Sequence, residues 1–392
     1  MTGRDCDIAI VGGGLAGGLI ALALARLRPE IAVQVLEGGS IAGGNHRWSW
    51  FDSDLSAEGR ELFDGIRLAR WDDGYDIFFP HFGRRLGTPY RSLVSLDFAA
   101  GLERLLPAGT LRTRAQAASL DRDGVVLDGG ERIAARTVID CRGFTPTPHL
   151  SGGWQVFMGR HVRTAAPHEL MRPVIMDADV EQLGGYRFVY SLPLGPDVLF
   201  VEDTYYQDTP LLDSPALSAR LDEYCLEQDW GGELIAFETG VLPVITGGDF
   251  AAFQRAQRID GVAVAGARGG FVHPLTSYTL PFAVATALAI AAEADLPGEQ
   301  LAALLEARAR RHWRAMRFYR LLGAMLFGAR PDERRRVFER FYQLDQRLIE
   351  RFYTGRSTLA DRARILSGRP PVPIGRALGA LARRQPPLQV VE

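Results

Sequence analysis

Residues 6–11 (Cys-Asp-Ile-Ala-Ile-Val) form a nearly unbroken apolar run, the pattern of a strand buried on both faces of a parallel sheet. Residues 12–18 are glycine-rich and predict a tight turn. Residues 19–27, rich in Ala and Leu, predict a helix that stops just before Pro29, and residues 31–36 predict a second strand. Together they make a βαβ unit. A further strand pair is expected at 111–119 and 124–127, with Asp128-Gly129 as a hairpin signal, and a short buried strand at 137–140. The middle of the chain changes character. Segments 172–177, 186–192 and 198–204 are short, rich in aromatic and β-branched residues, and separated by Gly and Pro, which predicts an antiparallel sheet. Residues 261–266 return to the buried-strand pattern, followed by a glycine-rich turn and an Ala-rich helix. From about residue 300 the chain reads as helical, with aromatic and arginine residues interleaved.

This order predicts an α/β protein. A discontinuous Rossmann-type nucleotide-binding domain takes residues 1–75, 95–150 and 255–298. An antiparallel β-sheet substrate domain takes 76–94 and 151–254, and a helical C-terminal region takes 299–392. A chain of 392 residues is long enough to support two cores.

Composition narrows the picture further. The formal net charge is −2, which argues against nucleic acid as a partner of the whole molecule. All 45 basic residues are arginine, and from Leu301 onward 20 of them face only 8 acidic residues, so the preceding part of the chain is net acidic. Three cysteines, Cys6, Cys141 and Cys225, lie far apart and in no metal-ligand spacing. A disulfide framework and a metal site are therefore not expected, and a reducing compartment is. No signal peptide is expected, because the first apolar run opens a glycine motif. The longest apolar stretch, 280–291, is too short to cross a bilayer and predicts a buried helix.

Gly12-Gly13-Gly14-Leu15-Ala16-Gly17 matches G-x-G-x-x-G. It follows a strand and opens a helix, and Glu37 stands at the end of the next strand, 25 residues after Gly12. In that context Gly12 permits the turn, and Gly14 lets the backbone approach a pyrophosphate at the helix N-terminus. Gly17 lets helix and strand pack closely. Glu37 would accept hydrogen bonds from the adenosine ribose and repel a 2′-phosphate. A second glycine-rich turn, Gly266-Ala267-Arg268-Gly269-Gly270, favours FAD over NAD, because a second backbone approach fits a longer ligand. Candidate cofactor-binding residues are thus Gly12, Gly14, Leu15, Ala16, Gly17, Glu37, Asp140, Gly266, Gly269 and Gly270.

Four further segments are too particular to follow from fold alone. They are 43–50 (Gly-Gly-Asn-His-Arg-Trp-Ser-Trp), 186–194 (Tyr-Arg-Phe-Val-Tyr-Ser-Leu-Pro-Leu), 200–206 (Phe-Val-Glu-Asp-Thr-Tyr-Tyr) and 271–281 (Phe-Val-His-Pro-Leu-Thr-Ser-Tyr-Thr-Leu-Pro). In this order, and with the tail at 365–373, the chain closely resembles the bacterial lycopene β-cyclases over nearly its whole length. The family often has glycine at the position of Ser277 and threonine at that of Leu275.

The resemblance implies an isomerisation of lycopene to β-carotene, with no net redox change. It requires FAD in its reduced form and NAD(P)H as electron source, and lycopene and γ-carotene are the implied substrates. A terminal double bond is protonated, a neighbouring double bond attacks the cation, and loss of a proton fixes the ring. Such chemistry needs a proton donor in a dry site, negative charge near the cation, and exclusion of water. Glu202 matches the family's acid in Glu-Asp-Thr and is the catalytic candidate; burial would raise its pKa and keep it protonated. Asp203 beside it projects to the opposite face of a strand, so only one of the pair can meet substrate. Asn45, His46 and Arg47 are expected at the flavin or its phosphates, with His273, Pro274 and Thr276, although His273 could equally be structural. Trp48, Tyr186, Phe188, Tyr190 and Asp203 are expected to line a polyene tunnel, the aromatics also serving as core.

The arginine-rich end interleaves aromatic and basic residues at 311–322, 325–328, 334–341 and 348–353, a mixture that can rest on anionic lipid. With a substrate that dissolves in bilayers, this implies a cytoplasmic protein held peripherally on a membrane surface. Two other readings stay open: a flavin-dependent monooxygenase acting on an apolar substrate, and a non-catalytic carotenoid carrier.

Overall fold

A computed structural model describes residues 4–368, 379 and 385–389. The tail at 369–373 and most of the chain beyond it lie outside the described residues.

The N-terminal run forms the strand Cys6–Val11. It sits at the centre of a seven-stranded sheet, parallel to Val33–Leu36 on one side and to Arg132–Asp140 on the other. The first helix spans Leu15–Leu27, so it begins inside the expected turn, directly after Gly14. Its Leu, Ile and Ala side chains from Leu19 to Leu24 are buried against the helix Leu280–Ala292 in one apolar cluster. The expected strand 111–119 is two strands. Leu111–Arg112 pairs with Val33–Leu36, and Ala117–Asp121 pairs with Gly124–Leu127. The intervening polar residues Thr113 and Arg114 break the run, and Arg114 takes a left-handed φ of 52°. The Asp128-Gly129 signal marks the turn from Gly124–Leu127 into the long strand Arg132–Asp140, of which the expected 137–140 is the end. The late strand is only Ala263–Val264, paired with that same end.

The second sheet has eight strands. Its main order is Gly232–Gly248, Thr147–Thr164, Val198–Gln207, Tyr186–Pro193, Val174–Asp177, Tyr75–Phe79 and Phe82–Leu86. It is mixed rather than wholly antiparallel, because Val174–Asp177 runs parallel to Tyr75–Phe79. These two strands are far apart in sequence and are joined across the body of the protein, so no hairpin dictates their direction. A three-stranded sheet of Arg47–Phe51, Tyr90–Val94 and Ala69–Trp71 lies apart from both.

Helices Gly298–Ala315, Arg317–Gly328, Arg334–Tyr342, Gln346–Tyr353 and Leu359–Leu366 follow. Their aromatic residues do not form an outer stripe. Phe318, Tyr319, Phe327, Phe338, Tyr342, Phe352 and Tyr353 are buried in one cluster with Tyr186, Phe188 and Tyr190 of the second sheet. Burial of each such ring removes about 150–250 Å² from water, which is what holds these helices on the sheet. None of the helices among the described residues is long and apolar enough to cross a membrane. Exposed large apolar side chains occur on the edge strand Gly232–Gly248, where Leu234, Ile235 and Phe237 are 51%, 46% and 57% exposed, and on the helix Leu359–Leu366, at Leu359 and Leu366.

Candidate active site

Two cavities meet at a shared wall. The first, of about 500 Å³, opens above the N-terminus of helix Leu15–Leu27. It is bordered by Gly12, Gly14, Leu15, Ala16, Glu37, His46, Gly266 and Ala267. The second, of about 270 Å³, lies on the larger sheet and is bordered by Arg47, Phe188, Tyr190, Glu202, Thr276 and aromatic residues of the C-terminal helices. His46, Trp48 and Thr279 border both. A third cavity, of about 230 Å³, lies between helices Phe250–Gln257 and Gly298–Ala315 and includes Gly269 alone of the expected site residues.

The first cavity has the features of a dinucleotide cleft. Gly12 takes a positive φ of 101°, and a Cβ there would meet the Cys141 carbonyl at 2.9 Å. Gly14 has open space where a side chain would project, so a ligand can reach the backbone. Gly17 does not border the cleft; it lies against the Gly12 carbonyl and Ile10, which fixes the helix on the strand. Glu37 receives the Gly13 and Gly39 amides on its two carboxylate oxygens, each at 2.7 Å. That locks the carboxylate at the rim with lone pairs still available. Gly266, at φ 62°, lies over Ala16 and closes the opposite side. A helix N-terminus, an open glycine and an acidic rim residue fit the pyrophosphate and ribose of FAD.

Other expected cofactor residues stand elsewhere. Asp140 is fully buried beneath the cleft, paired with Arg142 at 2.8 Å and Arg268 at 2.7 Å. Gly269 packs on Phe271, and Gly270, at φ 83°, packs on Phe250. Asn45 points outward and donates to the Phe237 carbonyl at 3.0 Å. His273 is fully buried and borders neither large cavity. Its Nδ1 accepts the Thr276 amide at 3.2 Å, its ring meets Tyr319 edge-on, and burial pushes its pKa down to about 3. It is therefore neutral at ordinary pH and stands in the core rather than at the wall of either cavity. The Pro274 carbonyl accepts the Ile245 amide at 2.8 Å. Thr276 borders the second cavity. Ser277 takes φ 57°, a conformation that favours glycine, and its hydroxyl donates to the Pro243 carbonyl at 2.9 Å.

In the second cavity the strand Val198–Gln207 presents alternate residues inward. Glu202 is half-buried because its carboxyl borders the cavity, and Thr204 Oγ1 donates to it at 2.7 Å. Burial raises its pKa to about 7, while the Thr204 bond and the Arg47 charge oppose the rise. Arg47 lies here and not at the first cavity. Its guanidinium donates to Ser92 Oγ at 2.9 Å and stands 4.9 Å over the Phe200 ring. Tyr190 donates to Ser49 Oγ at 2.7 Å. Phe188, Tyr190 and Trp48 give the cavity an aromatic wall.

Tyr186 and Asp203 stand outside it. Tyr186 stacks on Phe338 at 4.3 Å inside the core. Asp203, next to Glu202, is turned to the other face, where it accepts from Arg187 Nε and from the Tyr205 hydroxyl, both at 2.8 Å. The structure also adds Glu238 and His161, which the sequence did not single out. Glu238 is 2% exposed. Burial and the neighbouring Glu202 charge push its pKa up to about 8, while Arg47 pulls it down. His161 Nε2 lies 3.5 Å from the Arg47 guanidinium, and burial and that charge hold its pKa at about 4, so it is neutral. Among the described residues no group of three or more His, Cys, Asp or Glu side chains could hold a metal ion, and the three cysteines are free and buried.

Comparison with known proteins agrees with this geometry. A family profile described as lycopene cyclase protein matches residues 7–379. The chain is 41% identical over 381 residues to a lycopene beta-cyclase of Paracoccus sp., covering 96% of this chain and 97% of that one. It is also 41% identical over 382 residues to a lycopene beta-cyclase of Pseudescherichia vulneris, covering 97% and 98%. Among solved structures, a flavin-dependent brominase superposes with a TM-score of 0.61 at 13% identity, over 89% of this chain and 93% of that one. A geranylgeranyl bacteriochlorophyll reductase-like protein from Thermoplasma acidophilum superposes with a TM-score of 0.55 at 12% identity, over 96% of each. These structural likenesses establish the fold class, an α/β protein of the Rossmann-type FAD-binding kind. With a family match running through both cavities and nearly the full length, the chain belongs to the lycopene cyclase family.

Proposed function

We propose that this protein is a lycopene β-cyclase, an intramolecular lyase that converts lycopene through γ-carotene to β-carotene with no net redox change. The reading rests on one observation above all: Glu202 borders a cavity with an aromatic wall that shares a border with a dinucleotide cleft.

Glu202 is the acid. Its O–H proton passes to the inner carbon of the polyene's terminal double bond, so an O–H bond breaks, a C–H bond forms at the expense of that π bond, and the outer carbon becomes a tertiary cation. The neighbouring double bond attacks the tertiary cation and closes the ring. A proton is then lost from the adjacent carbon to the Glu202 carboxylate, which restores the acid. Atoms and electrons balance without an oxidant. The aromatic wall of Trp48, Phe188 and Tyr190 excludes water and offers π faces to the cation. Arg47, held by Ser92, steadies the Glu202 carboxylate after it has given up its proton.

FAD would be held by Gly12, Gly14, Leu15, Ala16, Glu37 and Gly266, and in its reduced state, with NAD(P)H as the electron source, it supplies negative charge beside the reaction. In domain terms, residues 1–75, 95–150 and 255–298 hold the cofactor and 76–94 and 151–254 the substrate; of the helical region 299–392, the helices between Arg317 and Tyr353 brace the substrate sheet, while Gly298–Ala315 packs on the nucleotide-binding sheet. Lycopene is soluble in lipid and not in water, so the protein collects it from a membrane surface. The exposed Leu234, Ile235 and Phe237 are the side chains placed to touch lipid.

The test is anaerobic incubation of the protein with lycopene in liposomes and chemically reduced FAD. Cyclic carotenes are expected without oxygen and without net consumption of reductant. A strict need for oxygen would overturn the reading in favour of a monooxygenase.

A further inference from the structure

The wall of the dinucleotide cleft carries a single cation. The chain contains no lysine, and among the described residues Arg142 is the only arginine bordering the cleft. His46 is the other basic side chain there, and burial lowers its pKa, so it is uncharged at neutral pH. Glu37 is the one acid. A helix N-terminus meets the two negative charges of a diphosphate with only about half a positive charge. A side-chain cation at this wall therefore has an electrostatic use.

Arg142 stands just past the end of the strand Arg132–Asp140. The Cys141 carbonyl oxygen and the Arg142 amide nitrogen lie 2.9 and 3.2 Å from where a Gly12 Cβ would be, so this backbone sits against the turn that opens the helix Leu15–Leu27. Asp140 grips the side chain as a fork. Its Oδ1 accepts the Arg142 amide at 3.2 Å and Nε at 2.9 Å, and its Oδ2 accepts Nη2 at 2.8 Å. A guanidinium has five N–H donors, and this grip uses two of them. The other three have no partner among the described residues. Asp140 also pairs with Arg268 at 2.7 Å, and Arg268 spends a further donor on Thr145 Oγ1 at 3.1 Å. One fully buried carboxylate thus answers two guanidiniums, which leaves one positive charge over. Of the two arginine side chains, Arg142 is the more exposed, 29% against 15%, and it alone borders the cleft.

Resting on the reading of this cleft as the FAD site, we propose that Arg142 is a cofactor-positioning residue: it gives its unspent N–H donors to the diphosphate of the dinucleotide. Because Asp140 already holds the guanidinium, little side-chain freedom is lost when the ligand arrives. Asp140 itself lies beneath the cleft and orients Arg142 without meeting the ligand. Arg142 does not border the substrate cavity, so it takes no part in the proton transfers of ring closure.

The experiment is a titration of the full-length protein, freed of flavin, with FAD at low and at high sodium chloride, followed by quenching of flavin fluorescence. Attraction between charges is screened by salt, so wild-type affinity is expected to fall as salt rises. Arg142→Gln is expected to bind FAD about 10- to 100-fold more weakly at low salt, the usual worth of hydrogen bonds to a charged group, and to lose most of the salt response. Arg268→Gln removes the other partner of Asp140, and its affinity is expected to keep the wild-type response to salt. If the two arginines serve only to neutralise Asp140, the two variants respond to salt alike, and that result overturns the proposal. So does wild-type FAD affinity in Arg142→Gln. If Arg142→Gln does not fold, as read from its thermal midpoint, Arg142→Lys decides. A lysine cannot serve Asp140 and a phosphate at once as a fork does, so FAD is expected to bind about fivefold more weakly or worse, and wild-type affinity there overturns the proposal. A wild type that binds no FAD refutes the reading of the cleft itself, whereas wild-type binding with an unmoved Arg142→Gln refutes only the role of Arg142.

Discussion

Glu202 and Asp203 are sequence neighbours that face opposite ways: Glu202 borders the aromatic cavity, and Asp203 accepts from Arg187 Nε at 2.8 Å on the other side of the sheet. Strand alternation turns one acid to the cavity and the other to a buried ion pair. Substitutions at the two positions therefore have separable consequences.

Glu202→Gln keeps the shape of the side chain and removes its proton donor. Ring formation is expected to fall by about 100- to 10,000-fold, the usual contribution of general acid–base catalysis. Pigment analysis after incubation with lycopene measures it. A variant that cyclises at the wild-type rate refutes the assignment of Glu202.

Asp203→Ala leaves Arg187 charged and almost fully buried without its partner. Breaking a buried pair from one side costs about 3–5 kcal/mol, so thermal or denaturant unfolding is expected well below the wild type. Equal stability of variant and parent would show that the pair contributes nothing to the fold.

The protein is expected to lose stability as pH rises from about 5 to about 8. Burial raises the carboxyls of Asp54 and Glu202 to about 7 and that of Glu238 to about 8. A group whose folded-state pKa exceeds its unfolded value holds its proton longer when folded. Its contribution is complete below the ordinary carboxylate range and is lost as pH climbs through the folded value. Thermal midpoints across that window check the sign, and a rising midpoint contradicts it.

Gly17→Ala places a methyl group against the Gly12 carbonyl and Ile10 Cγ2. The helix has to move off the strand, and such overpacking costs about 1–3 kcal/mol. Flavin affinity is expected to weaken on the order of tenfold or more. The ratio of flavin to protein absorbance after purification reads this, and a full complement of flavin would contradict it.

Replacing Leu234, Ile235 and Phe237 with serine is expected to reduce co-flotation with liposomes while leaving the fold intact, because all three side chains are exposed on an edge strand. Unchanged flotation moves the lipid contact elsewhere.

Much of this arrangement is written locally. The strand Cys6–Val11, the glycine turn and Glu37 lie within one short unit whose glycines each meet a steric demand, so the cleft was legible from spacing. Glu202 is legible through the resemblance of its Glu-Asp-Thr segment to the family's acid, and its apolar and aromatic neighbours add only that the strand is partly buried. Glu238 is not legible. Its segment begins exposed, with no alternation to announce an inward face, and its partners Gly159 and Arg47 come from distant parts of the chain. The C-terminal helices are ambiguous in sequence for a different reason. Arginine and aromatic residues alternate around them, and only the packed structure tells which set turns inward; Tyr342 and Tyr353, hydroxyl to hydroxyl at 2.6 Å, turn to the core. The split at Thr113 and Arg114 is not legible in the sequence, because a short run of polar residues in a strand has no distinct signature.

His46, Trp48 and Thr279 form a common border, so the two cavities share three side chains. A hydrocarbon offers no hydrogen bonds by which to be recognised, so its placement depends on the contour of the enclosure, and one stretch of that contour belongs to the neighbouring compartment. Remodelling Trp48 to change which polyene end fits would at the same time loosen or tighten whatever fills the adjoining cleft. Engineering of selectivity at this boundary has to be judged by both occupancies together.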